Sequence, residues 1–151
     1  MISRKSVGFS RNTAGWAAGG AVVIAITVGC GGPPPPRADA VAALEQADSR
    51  FAAKDLEAAR AGYAEAITLG ALRADLHERA TLRLAYCEAC LENTQAAKAL
   101  LDELAEVAAD MASVHAMRAF VLTQAGDAQA ARAELAKARQ FDPAARMPAA
   151  L

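Results

Sequence analysis

The sequence predicts an all-α fold, a solenoid of three antiparallel helix pairs, and three observations lead there. The first is a three-fold echo. Ala47, Ala85 and Ala119 precede Ala59, Ala97 and Ala131 by twelve residues, and Asp55, Asn93 and Asp127 precede the same alanines by four. Tyr63, Leu101 and Leu135 follow them by four, Ala66, Leu104 and Ala138 by seven, and Leu69, Val107 and Phe141 by ten. The units start 38 and then 34 residues apart, and a period of that length marks stacked helix pairs. The second observation is composition. No proline occurs between Arg37 and Asp142, Gly62, Gly70 and Gly126 are the only glycines there, and alanine dominates. Ala, Leu, Glu, Lys and Arg lose least on entering a helix. The third is that no stretch alternates apolar and polar residues with the β-branched enrichment of a strand.

Residues 1–29 stand apart from this pattern. Arg4, Lys5 and Arg11 make a basic start, and an apolar run rich in Gly and Ala follows from Ala14 to Gly29. Basic residues, a short apolar stretch and small residues read as an export signal. The run of 16 residues falls short of the roughly 20 that cross a bilayer; a retained anchor is the alternative. Thr27-Val28-Gly29-Cys30 resembles the lipobox of bacterial lipoproteins. Val28 and Gly29 fit the pattern and Thr27 stands where the family prefers Leu. The resemblance implies cleavage before Cys30 and lipidation of that cysteine. Gly31 stands where an inner-membrane lipoprotein has Asp, which favours the outer membrane. Residues 30–38 follow as a spacer. Its Pro33 to Pro36 favour polyproline II at about 3.1 Å per residue, a short semi-rigid stem.

The helices of residues 39–143 follow from capping chemistry and periodicity. The first helix of each pair is expected over about 39–53, 73–91 and 110–124, with stripes of Leu44, Ala47 and Phe51; Leu82, Ala85, Tyr86 and Ala89; and Ala116, Ala119, Phe120 and Val121. The second helices begin after Asp55, Asn93 and Asp127, whose short side-chain oxygens can accept from the free N–H groups of the next turn. Their apolar residues recur at i, i+3, i+4 and i+7: Leu56, Ala59, Tyr63, Ala66, Ile67; Ala97, Leu100, Leu101, Leu104, Val107; Ala128, Ala131, Leu135, Ala138, Phe141. Short loops make partners antiparallel, and the alanines at matched offsets allow close axes. The four additional residues between the first two units predict a longer helix around Ala71–His77. Residues 144–151 are a tail, so the third unit is expected to be capped by its own charges, by another protein or by a second copy.

Residues 40–143 resemble the tetratricopeptide repeat family. The third unit carries the likeness best, through Gly126-Asp127, Ala131, Leu135, Ala138 and Phe141-Asp142-Pro143. The first shows Lys54-Asp55, Ala59, Tyr63 and Ala66, and the second Glu92-Asn93, Ala97, Leu101 and Leu104. The early aromatic of the family's first helix is missing, and its small Gly is Ala47, Ala85 and Ala119. The resemblance implies a concave groove lined by the first helices, holding a peptide or helix of a partner protein. Carried over by offset, its positions are Leu44, Asp48, Phe51, Leu82, Tyr86, Cys90, Phe120 and Gln124. Core packing is the competing reading for Leu44, Phe51 and Leu82; Tyr86 and Phe120 share one offset in neighbouring units, as paired anchors would.

Charge and motifs bound the remaining functions. Without residues 1–29 the chain has 13 basic and 17 acidic groups, a formal charge of −4. That excludes an electrostatic footprint for nucleic acid or anionic lipid. Cys87-Glu88-Ala89-Cys90 is the one motif with chemical reach, a redox dithiol or half a zinc site. It falls inside an expected helix, where residues three apart hold Cβ atoms about 5–6 Å apart, whereas a disulfide needs about 3.5–4.5 Å. His77 is the only other zinc donor nearby, and four are needed. His77 and His115 lie far apart in sequence, and no Gly-rich phosphate loop occurs. The expectation is a lipid-anchored envelope adaptor or assembly factor, not an enzyme, with no cofactor, no metal and no catalytic residue. Its partners are another protein, the membrane through Cys30, and a second copy. A thiol redox or metal-handling protein using Cys87 and Cys90 is the alternative.

Overall fold

The computed structural model describes residues 38–149, so the signal-like segment, Cys30 and the proline stem lie outside the described residues. Within them the chain is all-helical: α1 (Ala38–Ala52), α2 (Leu56–Leu69), α3 (Ala74–Cys90), α4 (Thr94–Ala105), α5 (Met111–Gln124) and α6 (Ala128–Phe141). The boundaries agree with the sequence expectation to a residue or two. Each helix packs on the next, and α3 also packs on α5.

One turn recurs three times and explains where the first helices stop. Lys54, Glu92 and Gly126 are left-handed, with φ of 62°, 66° and 81°. The next N–H in each case reaches back to a carbonyl of the helix just ended: Asp55 to Arg50 at 3.0 Å, Asn93 to Glu88 at 2.8 Å and Asp127 to Leu122 at 2.9 Å. Carbonyls left over at a helix end are satisfied this way. Only the third turn uses glycine, the residue that adopts this conformation without strain. Asp55 and Asp127 then accept from the N–H of Ala58 at 3.2 Å and of Ala130 at 3.0 Å. Asn93 differs from expectation. Its side chain makes no cap bond, because its amide donates to Glu88 at 2.8 Å instead. Asp110 caps α5 by accepting from the N–H of Ser113 at 3.0 Å.

The residues between the first two units do not lengthen a helix. Gly70 and Ala71 are both left-handed, with φ of 70° and 55°, so α2 ends there and a short loop leads to α3. Between α4 and α5, Glu78 accepts from the N–H groups of Ala109 and Asp110, each at 3.1 Å, which ties that linker to α3.

The core is built from small residues. Leu44, Ala47, Ala59, Tyr63, Ala66, Ala80, Leu84 and Cys87 form one cluster, joining α1, α2 and α3. Ala85, Tyr86, Ala89, Ala97, Leu101, Met117, Phe120 and Val121 form the next, across α3, α4 and α5. Ala112, Ala116, Ala138 and Ala145 make a third, between α5, α6 and the segment after α6. Ala47 and Gly62 set the separation of α1 and α2: a Cβ on Gly62 would stand 2.9 Å from the Cβ of Ala47 and 3.3 Å from its Cα.

Candidate docking face

The face in question is built by α1, α3 and α5. Phe51 of α1, Tyr86 of α3 and Phe120 of α5 form a continuous row. Phe51 meets Tyr86 edge to face with ring centres 5.4 Å apart, and Tyr86 stacks on Phe120 at 4.7 Å with the planes 9° apart. Phe51 also touches Tyr63 at 6.2 Å. The row exists because Tyr86 and Phe120 share one repeat offset and Phe51 reaches over from one helical turn further on.

Asp48 occupies in α1 the offset that Tyr86 and Phe120 hold in α3 and α5. It accepts from the hydroxyl of Tyr63 at 2.8 Å, from Arg79 at 3.3 Å and from Arg83. Arg83 lies over the Phe51 ring, its Cζ 5.6 Å from the centroid. Burial, reinforced by the bond to Asp48, pushes the Tyr63 phenol well above its usual range. Burial opposes the charge on Arg83, but hydrogen bonds to Tyr63 and Asp48 outweigh it and hold its pKa up. The network therefore keeps a carboxylate flanked by two guanidinium groups.

The eight residues assigned to the groove take different places. Leu44 is 1% exposed and lies inside the first core cluster, which makes it packing rather than surface: it sits one turn before Ala47, on the stripe that meets α2. Phe51, Leu82 and Cys90 are half-buried against the second cluster. Tyr86 and Phe120 are 3% and 4% exposed, stacked on each other within the second core cluster. Asp48 is half-buried, and Gln124 is exposed at the end of α5. Of the eight, Gln124 alone is exposed, and the half-buried Asp48, Phe51, Leu82 and Cys90 are the other parts of the face that meet solvent.

The segment after α6 crosses part of this face. Asp142 turns the chain, its carbonyl accepting from the N–H of Ala145 and its carboxylate from the N–H of Ala144, both at 2.9 Å. Ala145 buries against Ala112, Ala116 and Ala138. The Thr123 hydroxyl, which donates to the Ala119 carbonyl at 2.9 Å, lies 3.7 Å from the Met147 sulfur, and the Tyr86 hydroxyl donates to the Ala149 carbonyl at 2.8 Å. The end of the third pair, expected to need a second copy, another protein or its own charges, is partly covered by this segment. Phe141 remains 60% exposed, stacked on His115 with ring centres 5.7 Å apart. His115 in turn bonds Glu134 at 2.7 Å, and Lys137 donates to the same carboxylate at 2.7 Å. Burial works against the Glu134 charge, but these two partners hold its pKa below the usual value.

Both thiols among the described residues are free; Cys87 is buried and Cys90 half-buried. Burial, then the neighbouring Cys90 and Glu88, pushes the Cys87 thiol up to about 12. Burial also raises Cys90, against a hydrogen bond with Tyr86 that lowers it. A raised thiol is a poor nucleophile and a poor metal ligand at neutral pH. Among the described residues no three His, Cys, Asp or Glu side chains are grouped to hold a metal ion. A cleft of about 1270 Å³ opens beside the α2–α3 and α4–α5 linkers and is lined by Leu72, Leu82, Leu104 and Val107. The charged groups around it are engaged, Arg73 with Asp75, Arg79 with Asp48 and Glu78 with the α5 linker. No described helix is long and apolar enough to cross a membrane.

Two features of this face were not read from the sequence. The Asp48 network had a signal: one acid at an offset otherwise aromatic, and arginines at 79 and 83, one helical turn apart. The crossing segment had only Pro143, Pro148 and small apolar residues to announce it. No family model matches the chain, and neither a curated protein nor a solved structure shows significant similarity to it.

Proposed function

We infer that this chain is a protein-interaction adaptor or assembly factor, a tetratricopeptide-like helical solenoid that docks a partner along α1, α3 and α5 and is lipid-anchored at the bacterial envelope. The observation that carries the reading is the aromatic row Phe51–Tyr86–Phe120. Three successive first helices contribute one ring each, and aromatic clusters with polar margins are what interface anchors are made of. The small residues Ala47 and Ala59, with Ala85, Ala97, Ala119 and Ala131 at the same offsets in the later pairs, support stacking of like units. The partner is another protein, presenting a peptide or a helix; the acidic balance of the mature chain disfavours nucleic acid. Anchoring rests on Cys30 and the basic-then-apolar segment before it, and the outer membrane is the favoured site. A second copy of the chain is a further partner, favoured by the exposed Phe141 at the end of the third pair.

A photo-crosslinking residue placed at Gln124 or Cys90 tests the docking face. Envelope extracts should yield adducts from these positions and none from the exposed Ala61 of α2 or Ala99 of α4. Equal labelling from all four, or none, removes the reading. Separately, Cys30→Ser should move the protein from the membrane fraction to the soluble one; retention in the membrane would refute lipid anchoring.

A further inference from the structure

The docking face already holds a guest, and the guest belongs to this chain. Within a few residues the segment after α6 leaves the Asp142 turn, buries Ala145 between α5 and α6, passes Thr123 and reaches Tyr86 on α3. Three properties of these contacts matter. The bond from Tyr86 goes to a main-chain carbonyl, which any non-helical peptide can present. The one buried side chain is a single methyl, Met147 lies beside Thr123, Ala131 and Leu135, and Arg139 reaches the Ala145 carbonyl at 3.5 Å. The segment is therefore held by a few individually weak contacts. Finally, Tyr86 serves twice, as the middle ring of the aromatic row and as the donor to the crossing segment.

We propose that residues 144–149 are an intramolecular ligand that occupies the α3/α5 part of the docking face in cis, so that an incoming segment must displace them. The inference rests on the docking reading and deepens it by naming the class of guest: a non-helical stretch that seats a small side chain between α5 and α6, a thioether beside Thr123 and a backbone carbonyl on the Tyr86 hydroxyl. Tethering explains how weak contacts suffice. A short connection holds its end at an effective concentration in the millimolar range, and the Asp142 turn starts the segment in the right direction. The same tether lowers the apparent affinity for any competitor by the fraction of molecules that are open. Intact protein should therefore look like a poor binder of the very peptide class its face accepts.

Two measurements test this. In the full chain, trypsin can cut after the exposed Arg146 only when the flanking backbone leaves its seat. Cleavage there should run roughly tenfold faster in Ala145→Asp than in the parent, and a few-fold faster in the near-isosteric Tyr86→Phe, since opening precedes cutting. In the second, a labelled peptide of residues 143–149 is titrated into the parent, into Ala145→Asp and into a chain ending at Asp142. Saturable binding should occur to both opened chains and be at least about tenfold weaker to the parent, whose seat is filled. Equal cleavage rates in all three full-length proteins overturn the proposal. So does peptide binding that is equal everywhere, or absent from opened chains that keep the parent's helical circular dichroism. The outcome is separable from that of the docking reading. Peptide binding to opened chains, with no envelope adducts at Gln124 even in those opened chains, leaves the cis guest standing and removes the external partner. Adducts formed equally by parent and opened chains do the reverse.

Discussion

Gly62→Ala tests the close approach of α1 and α2 directly. The added methyl would sit 2.9 Å from the Cβ of Ala47 and 3.3 Å from its Cα, where carbon atoms in comfortable contact stand about 3.5–4.0 Å apart. The obstacle is a backbone atom and the stub of the shortest side chain, so no rotamer change relieves it; α1 must move bodily away from α2. Overpacking of this kind costs about 1–3 kcal/mol, and replacing a mid-helix glycine by alanine returns about 1 kcal/mol. The net expectation is a loss of about 1 kcal/mol, read as a fall in Tm of roughly 4 °C or more for a domain of this size. Ala47→Gly alone also destabilises, by lost methyl burial of about 0.8 kcal/mol and a helix penalty of about 1 kcal/mol. Combined, the two changes relieve the clash, so the double variant should be more stable than the sum of the single losses predicts by about 1 kcal/mol, the signature of residues in contact. Urea melts of the four proteins measure this. Additivity, or a Gly62→Ala protein more stable than the parent, would refute the idea that small residues set this helix separation.

Three further outcomes follow from features described above. Lys54→Gly and Glu92→Gly should each raise stability by about 0.5–1 kcal/mol, and Gly126→Ala should lower it by about 1 kcal/mol, because all three positions are left-handed; thermal melts check the signs. Asp48→Ala leaves the buried Tyr63 hydroxyl without its acceptor and should cost about 1–3 kcal/mol. Asp48→Asn keeps an acceptor and should cost less, which chemical denaturation distinguishes. Glu134 and Asp110 have folded pKa values below their usual ones, Glu134 because Lys137 and His115 overcome burial and Asp110 because Ser113 donates to it. Their stabilisation is present above the unfolded carboxyl range, about pH 4, and is lost as pH falls through the lower folded values. Denaturation midpoints measured from pH 6 down to pH 2.5 should therefore drop, and the slope should be shallower in Glu134→Gln.

The helices were legible because three kinds of signal agreed. Aspartates at 55 and 127 cap where capping chemistry puts them, the alanines mark the contacts, and the apolar stripes face the clusters except at Val107, Ala128 and Phe141, which are exposed. The discrepancies have local causes. Asn93 stands at a helix start, yet a nearby carboxylate captures its amide. Gly70 and Ala71 interrupt what periodicity alone would extend, since alanine carries no visible mark of a left-handed backbone. The role of Gly62 is set by a partner in another helix, which a one-dimensional pattern does not display. Groove positions were legible as offsets but not as exposures. Leu44 lies on the inward side of its helix, and Tyr86 and Phe120 hide each other. The segment after Pro143 carries no periodicity, so its path follows from the surface it meets.

The substitution of an acid for a ring at position 48 breaks the equivalence of the three units. Arg79 and Arg83 gather around that carboxylate at the α1 end, while at the α5 end Phe120 is buried against Tyr86 and the amide of Gln124 is exposed. A symmetric strip would let a visitor lie in either direction. This one carries its charge at the α1 end, so under the docking reading proposed above its two ends would not be equivalent to a visitor.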